Sequence, residues 1–158
     1  MIAAPSEELL LKYASGVLDP ALHLLVERHL ALHAPSRALL ADWHELGGAL
    51  LAAETPAELT PGRLDRVLAR LTTGEPAAAP AGFPPLDAMP WRWAGPGRAI
   101  ANIDIPGSSM KTYALKIAPG KAMLQHSHVA TEWTLIVQGA YRDEGGSYDA
   151  GSFIEEDD

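Results

Sequence analysis

Residues 120–139 read GKAMLQHSHVATEWTLIVQG, and the spacing within this stretch decides how the second half of the chain is read. His126 and His128 are two residues apart, and Glu132 follows four further on. In a β-strand, residues i and i+2 point to the same face. The two imidazoles therefore stand side by side, with a carboxylate of the same parity beyond a short bend at Val129-Ala130. Two imidazoles and one carboxylate suit a divalent metal such as Zn, Fe, Mn, Ni or Cu. The bland alternative is a pair of surface histidines on an edge strand. Gly120 and Gly139, placed at fixed distances on either side, weigh against it.

Bulk properties exclude several function classes. The chain has 158 residues and a formal charge of −8, enough length for one ordinary domain or two small ones. Split near residue 75, each half holds 10 acidic and 6 basic residues and carries −4. No basic stripe exists, so direct nucleic-acid binding is disfavoured. There is no cysteine, which rules out disulfides and thiolate metal sites. No apolar run approaches the ~20 residues of a membrane span. The start, MIAAPSEELL, lacks the basic-then-apolar order of a signal peptide. A cytoplasmic protein is the default expectation. No Ser-His-Asp set, phosphate loop or dinucleotide glycine pattern is visible.

The first 74 residues have a helical period. Ser6 can cap a helix whose first turn holds Glu7 and Glu8, and the run stops at Gly16. Asp19-Pro20 restarts with a cap and a first-turn proline. Leu22, Leu25, Val26, His29 and Leu32 then recur at helical spacing. Pro35 opens a third helix with Leu39, Leu40, Trp43, Leu46, Leu50 and Leu51 on one broad face. Thr60-Pro61 opens a fourth with Leu64, Val67, Leu68 and Leu71. Residues 1–74 thus predict a small all-α unit, too small to be well stabilised by its own core. Residues 75–90, with prolines at 76, 80, 84, 85 and 90, predict an extended linker.

After the linker the period changes to two. WRWAG, RAIANIDI, KTYALKIA, AMLQHSHV, EWTLIVQG and SYDAGSFIEE are short strand candidates separated by Gly-containing turns. Residues 91–158 therefore predict an antiparallel sandwich or barrel. Glu132, Thr134 and Ile136 share one strand face. Trp133, Leu135 and Val137 share the other, which predicts pairing with a second copy or docking of the helical unit. Trp91 and Trp93 alternate along one strand, and the run Glu155 to Asp158 predicts a solvated tail.

Gly120, His126, His128, Glu132 and Gly139 match the first cupin motif, G-x5-H-x-H-x3-E-x6-G, at every defined position. About six strands fit before Asp158, fewer than the eight or so of a jelly roll, and a cupin's second motif supplies a further His beyond that point. The expectation is a partial cupin. The whole layout resembles the ChrR-type anti-sigma factors, which fuse a zinc-binding helical domain to a C-terminal cupin. The resemblance rests on EELLLKYASGVLDPALHLLVERHLALH, on the Gly47-Gly48 segment and on HSHVATEWTLIVQGAYRDEGGSYDAG.

The resemblance implies an α+β protein of two domains. It implies a regulator that holds an extracytoplasmic-function (ECF) sigma factor inactive through its helices, with a cupin required for release under stress. His126, His128 and Glu132 are then the cupin metal ligands, zinc being the expected metal, and pairing of cupins implies a homodimer. Leu22, Leu25, Leu39, Trp43 and Leu46 are the expected sigma-binding face, since Leu-rich amphipathic helices suit helix-in-groove docking. The family's helical zinc motif, H-x3-C-x2-C, falls on His29, His33 and Ser36, with Ala4 near the fourth position. His33 replaces one Cys and Ser36 the other, which leaves His29 and His33 as weaker metal candidates. The competing reading is a small cupin metalloenzyme, a dioxygenase or isomerase, with the helices as an oligomerisation element.

Overall fold

The computed structural model describes residues 2–73, 83–123, 131–143 and 145–156. Among the described residues, four helices come first. Helix α1 (Glu7–Ala14) is capped by Ser6, whose hydroxyl accepts from the Leu9 amide, and α2 (Pro20–Leu32) is capped by Asp19, which accepts from Ala21. Helix α3 (Ala34–Ala53) starts almost without a loop, since His33 closes α2 and opens α3. Helix α4 (Arg63–Thr73) follows a turn at Gly62, which has a positive φ of 74°.

Among the described residues, seven short strands make three antiparallel groups. Strands β1 (Arg92–Trp93), β2 (Arg98–Ile103) and β3 (Thr112–Ile117) form one sheet in sequence order. Strand β4 (Glu132–Leu135) pairs with β7 (Phe153–Glu156), and β5 (Ala140–Arg142) pairs with β6 (Ser147–Asp149). Gly151, at φ +96°, breaks SYDAGSFIEE into β6 and β7. The architecture is α+β with a cupin-like second half. The AMLQHSHV strand expected from the sequence lies largely outside the described residues.

The core joins the two halves. Leu9, Leu10, Leu22, Val26 and Leu30 from α1 and α2 are buried together with Phe153 of β7. Trp133 and Leu135 of β4 and Met110 pack against the same cluster. The outer face of β4, expected to meet either a second copy or the helices, thus meets the helices. Polar bonds reinforce the junction. Phe153 N–H donates to Ala3 O at 2.9 Å, and the Ser6 amide donates to Glu155 Oε1 at 2.6 Å. Asp19 accepts from Ser108 Oγ at 2.5 Å and from the Ser109 amide at 3.0 Å. The small helical unit completes its core with a side chain from the last strand rather than by itself.

Within the described part of the expected linker the chain turns and packs. Residues 84–90 include a turn, Met89 is buried, and the Trp91 indole N–H donates to Leu86 O at 2.8 Å. Proline fixes φ and removes a donor, but it does not prevent a turn from packing its apolar side chains. Trp91 precedes the sheet, whereas Trp93 sits on the edge strand β1 and is 81% exposed. The acidic run is not wholly a solvated tail, because Glu155 binds the backbone and hydroxyl of Ser6.

Candidate functional site

Three places hold the residues singled out by the sequence. The first is the cupin motif. His126 and His128 lie outside the described residues. Glu132 opens β4, half-buried, and pairs in register with Glu156. The Tyr113 hydroxyl of β3 donates to Glu132 Oε1 at 3.5 Å, and the Thr134 hydroxyl donates to the same oxygen at 3.4 Å. Burial pushes the Tyr113 phenol above its usual range, and the nearby Glu132 charge adds to that. A phenol kept protonated remains a donor, so the carboxylate is oriented from two strands. Tyr113 was not singled out by the sequence, since nothing in KTYALKIA distinguishes a tyrosine facing a carboxylate from one facing solvent.

The second place is the α2–α3 corner. His29 is fully buried and Ser36 nearly so. His29 Nδ1 lies 2.7 Å from Gly151 O, and its Nε2 lies 2.8 Å from Ser36 Oγ. His33 Nδ1 lies 2.8 Å from the same hydroxyl. Burial pushes the His29 imidazole below its usual range, the Gly151 carbonyl pulls it partly back, and His33 lowers it again. Among the described residues, no three His, Cys, Asp or Glu side chains gather as a metal site. His23 stacks on Tyr13 at 4.5 Å between ring centres, and His44 is exposed on α3.

The third place is the apolar face expected to meet a partner. Its residues part company. Leu22 is buried in the core, and Leu25, Leu39 and Trp43 are half-buried against it. Leu46 is exposed. Leu22 is therefore a packing residue, because the face of α2 that carries it meets α1 and β7. Exposure begins on the distal half of α3 and continues through α4. Leu46, Leu50, Leu51, Leu64, Val67, Leu68 and Leu71 are each about half exposed or more. Helix α4 is exposed from Arg63 to Thr72, although its apolar residues repeat every three or four positions. Such spacing normally faces a core. Large apolar side chains left exposed on two successive helices are the kind of surface that proteins use for interaction.

Comparison with known proteins gives these places a context. A family model described as the ChrR Cupin-like domain matches residues 84–158, and cupin-like domains of that family generally bind metal. The anti-sigma-E factor ChrR of Cereibacter sphaeroides is 33% identical over 160 residues, spanning 92% of this chain and 75% of that protein. A crystal structure of Rhodobacter sphaeroides SigE in complex with the anti-sigma ChrR superposes with a TM-score of 0.83 at 33% identity. That match covers 98% of this chain and 86% of the other. Both matches carry the name of an anti-sigma factor, which favours the regulator over the metalloenzyme reading.

Proposed function

Since the chain belongs to the family of ChrR-type anti-sigma factors, we propose that its helical unit sequesters an ECF sigma factor in the cytoplasm and that its cupin-like unit is a metal-binding element governing release under stress. The observation that carries this reading is the exposed leucine face of distal α3 and α4. Fully burying one Leu or Val side chain contributes about 1.5–3 kcal/mol. Several such residues buried together on binding are ample for tight association once the association entropy is met. A partner clasped there has its own apolar docking surface covered and cannot present it to RNA polymerase. The charge of −8 favours encounter with a basic, DNA-binding partner. Among the described residues, no helix is long and apolar enough to cross a membrane.

In the cupin-like unit, His126, His128 and Glu132 would hold a divalent metal, with zinc favoured. The donor set of two imidazoles and a carboxylate fits such an ion. The hydrogen bonds from Tyr113 and Thr134 to Glu132 supply the outer support that carboxylate ligands normally have. A divalent metal held by these residues would supply a cross-link between the segment that carries the histidines and β4. Tyr113 and Thr134 hold the carboxylate in place for it.

Copurification tests the reading. The full chain coexpressed with its cognate ECF sigma factor, taken from the same genome, is expected to elute as a 1:1 complex. Leu50→Asp with Val67→Asp is expected to abolish the complex while the chain stays folded. An unchanged complex in that variant would move the docking face elsewhere. Absence of any complex, with no promoter altered on deletion, would overturn the anti-sigma reading.

A further inference from the structure

We propose that this chain ties its helical unit to its β-unit through a metal-free hydrogen-bond chain, His33–Ser36–His29–Gly151, with both histidines held as the Nδ1–H tautomer and Ser36 as the positioning residue. The direction of each bond follows from its neighbour. A carbonyl oxygen accepts and cannot donate, so His29 Nδ1 carries the proton shared with Gly151 O at 2.7 Å. A fully buried imidazole is disfavoured as a cation, which leaves Nε2 bare and in need of a donor. The Ser36 hydroxyl is that donor at 2.8 Å. Ser36 has one proton, now committed, so its oxygen accepts from His33 Nδ1–H at 2.8 Å. Every side-chain polar atom of His29 and Ser36 is then satisfied in a site where an unsatisfied one costs about 1–3 kcal/mol.

The same geometry does not fit a zinc ion. Ligand atoms around tetrahedral zinc, each about 2.0–2.1 Å from the metal, lie about 3.3 Å apart. The separations here are 2.8 Å, the length of a hydrogen bond. A neutral serine hydroxyl stands where a thiolate would be needed, and no third His, Cys, Asp or Glu joins the pair among the described residues. Ala4, near the fourth position in sequence, has no donor on its side chain. The junction gains its hold elsewhere. Gly151 is buried at the β6–β7 turn, and an added Cβ there would sit 3.4 Å from Leu32 Cβ. The Phe153 ring meets His29 edge-on at 5.9 Å between centres. Ser36 thus links the end of α2 to the first turn of α3, and His29 carries the chain of bonds on to the β6–β7 turn.

The test uses the full chain carrying His126→Ala and His128→Ala, which removes the cupin ligands. It is expected to hold no stoichiometric metal by elemental mass spectrometry, and chelator is expected to leave its Tm unchanged. Imidazole 15N shifts are expected to report Nδ1–H for both His29 and His33. Ser36→Ala is expected to release His33 to the Nε2–H form that free imidazole prefers, leave His29 as it is, and lower Tm. Ser36→Thr, which keeps the hydroxyl, is expected to restore the His33 tautomer. About one zinc per chain, lost on Ser36→Ala or on chelation with a fall in Tm, would overturn the proposal. So would an Nε2–H tautomer at either histidine in the parent. If Ser36→Ala fails to fold, metal content and the parent tautomers still decide.

Discussion

The helical unit has two apolar surfaces, and they meet opposite fates. On α1 and α2, Leu9, Leu10, Leu22, Val26 and Leu30 are closed over by Phe153 from the far end of the chain. On distal α3 and α4, Leu50, Leu51, Val67 and Leu71 stay open to solvent. Residue type and helical spacing are the same in both. What differs is whether the chain itself supplies a lid. An apolar stripe on a helix therefore announces that something covers it, without announcing what. Here β7 covers one stripe, and among the described residues the other stays uncovered.

The contrast is broken most severely by removing the lid. Phe153→Ala is expected to destabilise the fold by about 3–5 kcal/mol, read by chemical denaturation. Sigma binding should fall with it, since the helices lose their seat. Leu50→Asp with Val67→Asp is the mirror experiment. It should cost two orders of magnitude or more in partner affinity, roughly 3 kcal/mol, while the denaturation midpoint of the isolated chain stays put. If both sets of variants shift the midpoint equally, the two surfaces are not distinct.

A smaller effect is expected at the seam between them. Asp19→Ala removes the α2 cap together with the bonds from Ser108 and Ser109, at a cost of about 0.5–2 kcal/mol for the cap. Burial raises the Asp19 carboxyl, but hydrogen bonds from Ser108, Ser109 and Ala21 outweigh that and hold it below its usual value. Smallest is the pH response. The His29 imidazole is pushed below its ordinary 6.5, so the unfolded chain takes up the proton first. Its stabilising contribution is full above that value and is lost as pH falls from there through the lowered folded value. Denaturation midpoints between pH 8 and pH 5 should decline, and His29→Gln should flatten the decline.

Much of this was readable from residues. Ser6 and Asp19 mark helix starts because their side chains satisfy amides that no other group can reach. The change of period after residue 90 marks strands for equally local reasons. What could not be read depends on long-range placement. Leu22 and Leu46 occupy equivalent places in the helical pattern, yet one is 7% exposed and the other 48%. The packing of α1 and the arrival of β7 on that face separate them. FIEE reads as a strand running into an acidic tail, and nothing local says that Phe153 enters a helical core or that Glu155 binds Ser6. At the α2–α3 corner, His29, His33 and Ser36 were visible as a departure from the metal motif. Their partner Gly151, 122 residues away, was not. For the cupin motif, Glu132 is placed beside Tyr113 and Thr134, and the two histidines lie outside the described residues.

The Phe153 lid also sets a clock on synthesis. Leu30 leaves the ribosome 123 positions before Phe153, an interval of roughly 6 to 25 s at about 5–20 residues per second. During that interval α1 and α2 have helical sequence but no completed core, and Ser6 and Ala3 lack the strand that binds them. Binding competence should therefore arrive late and abruptly on the nascent chain. A sigma factor made at the same time has that interval in which to act before its inhibitor can hold it.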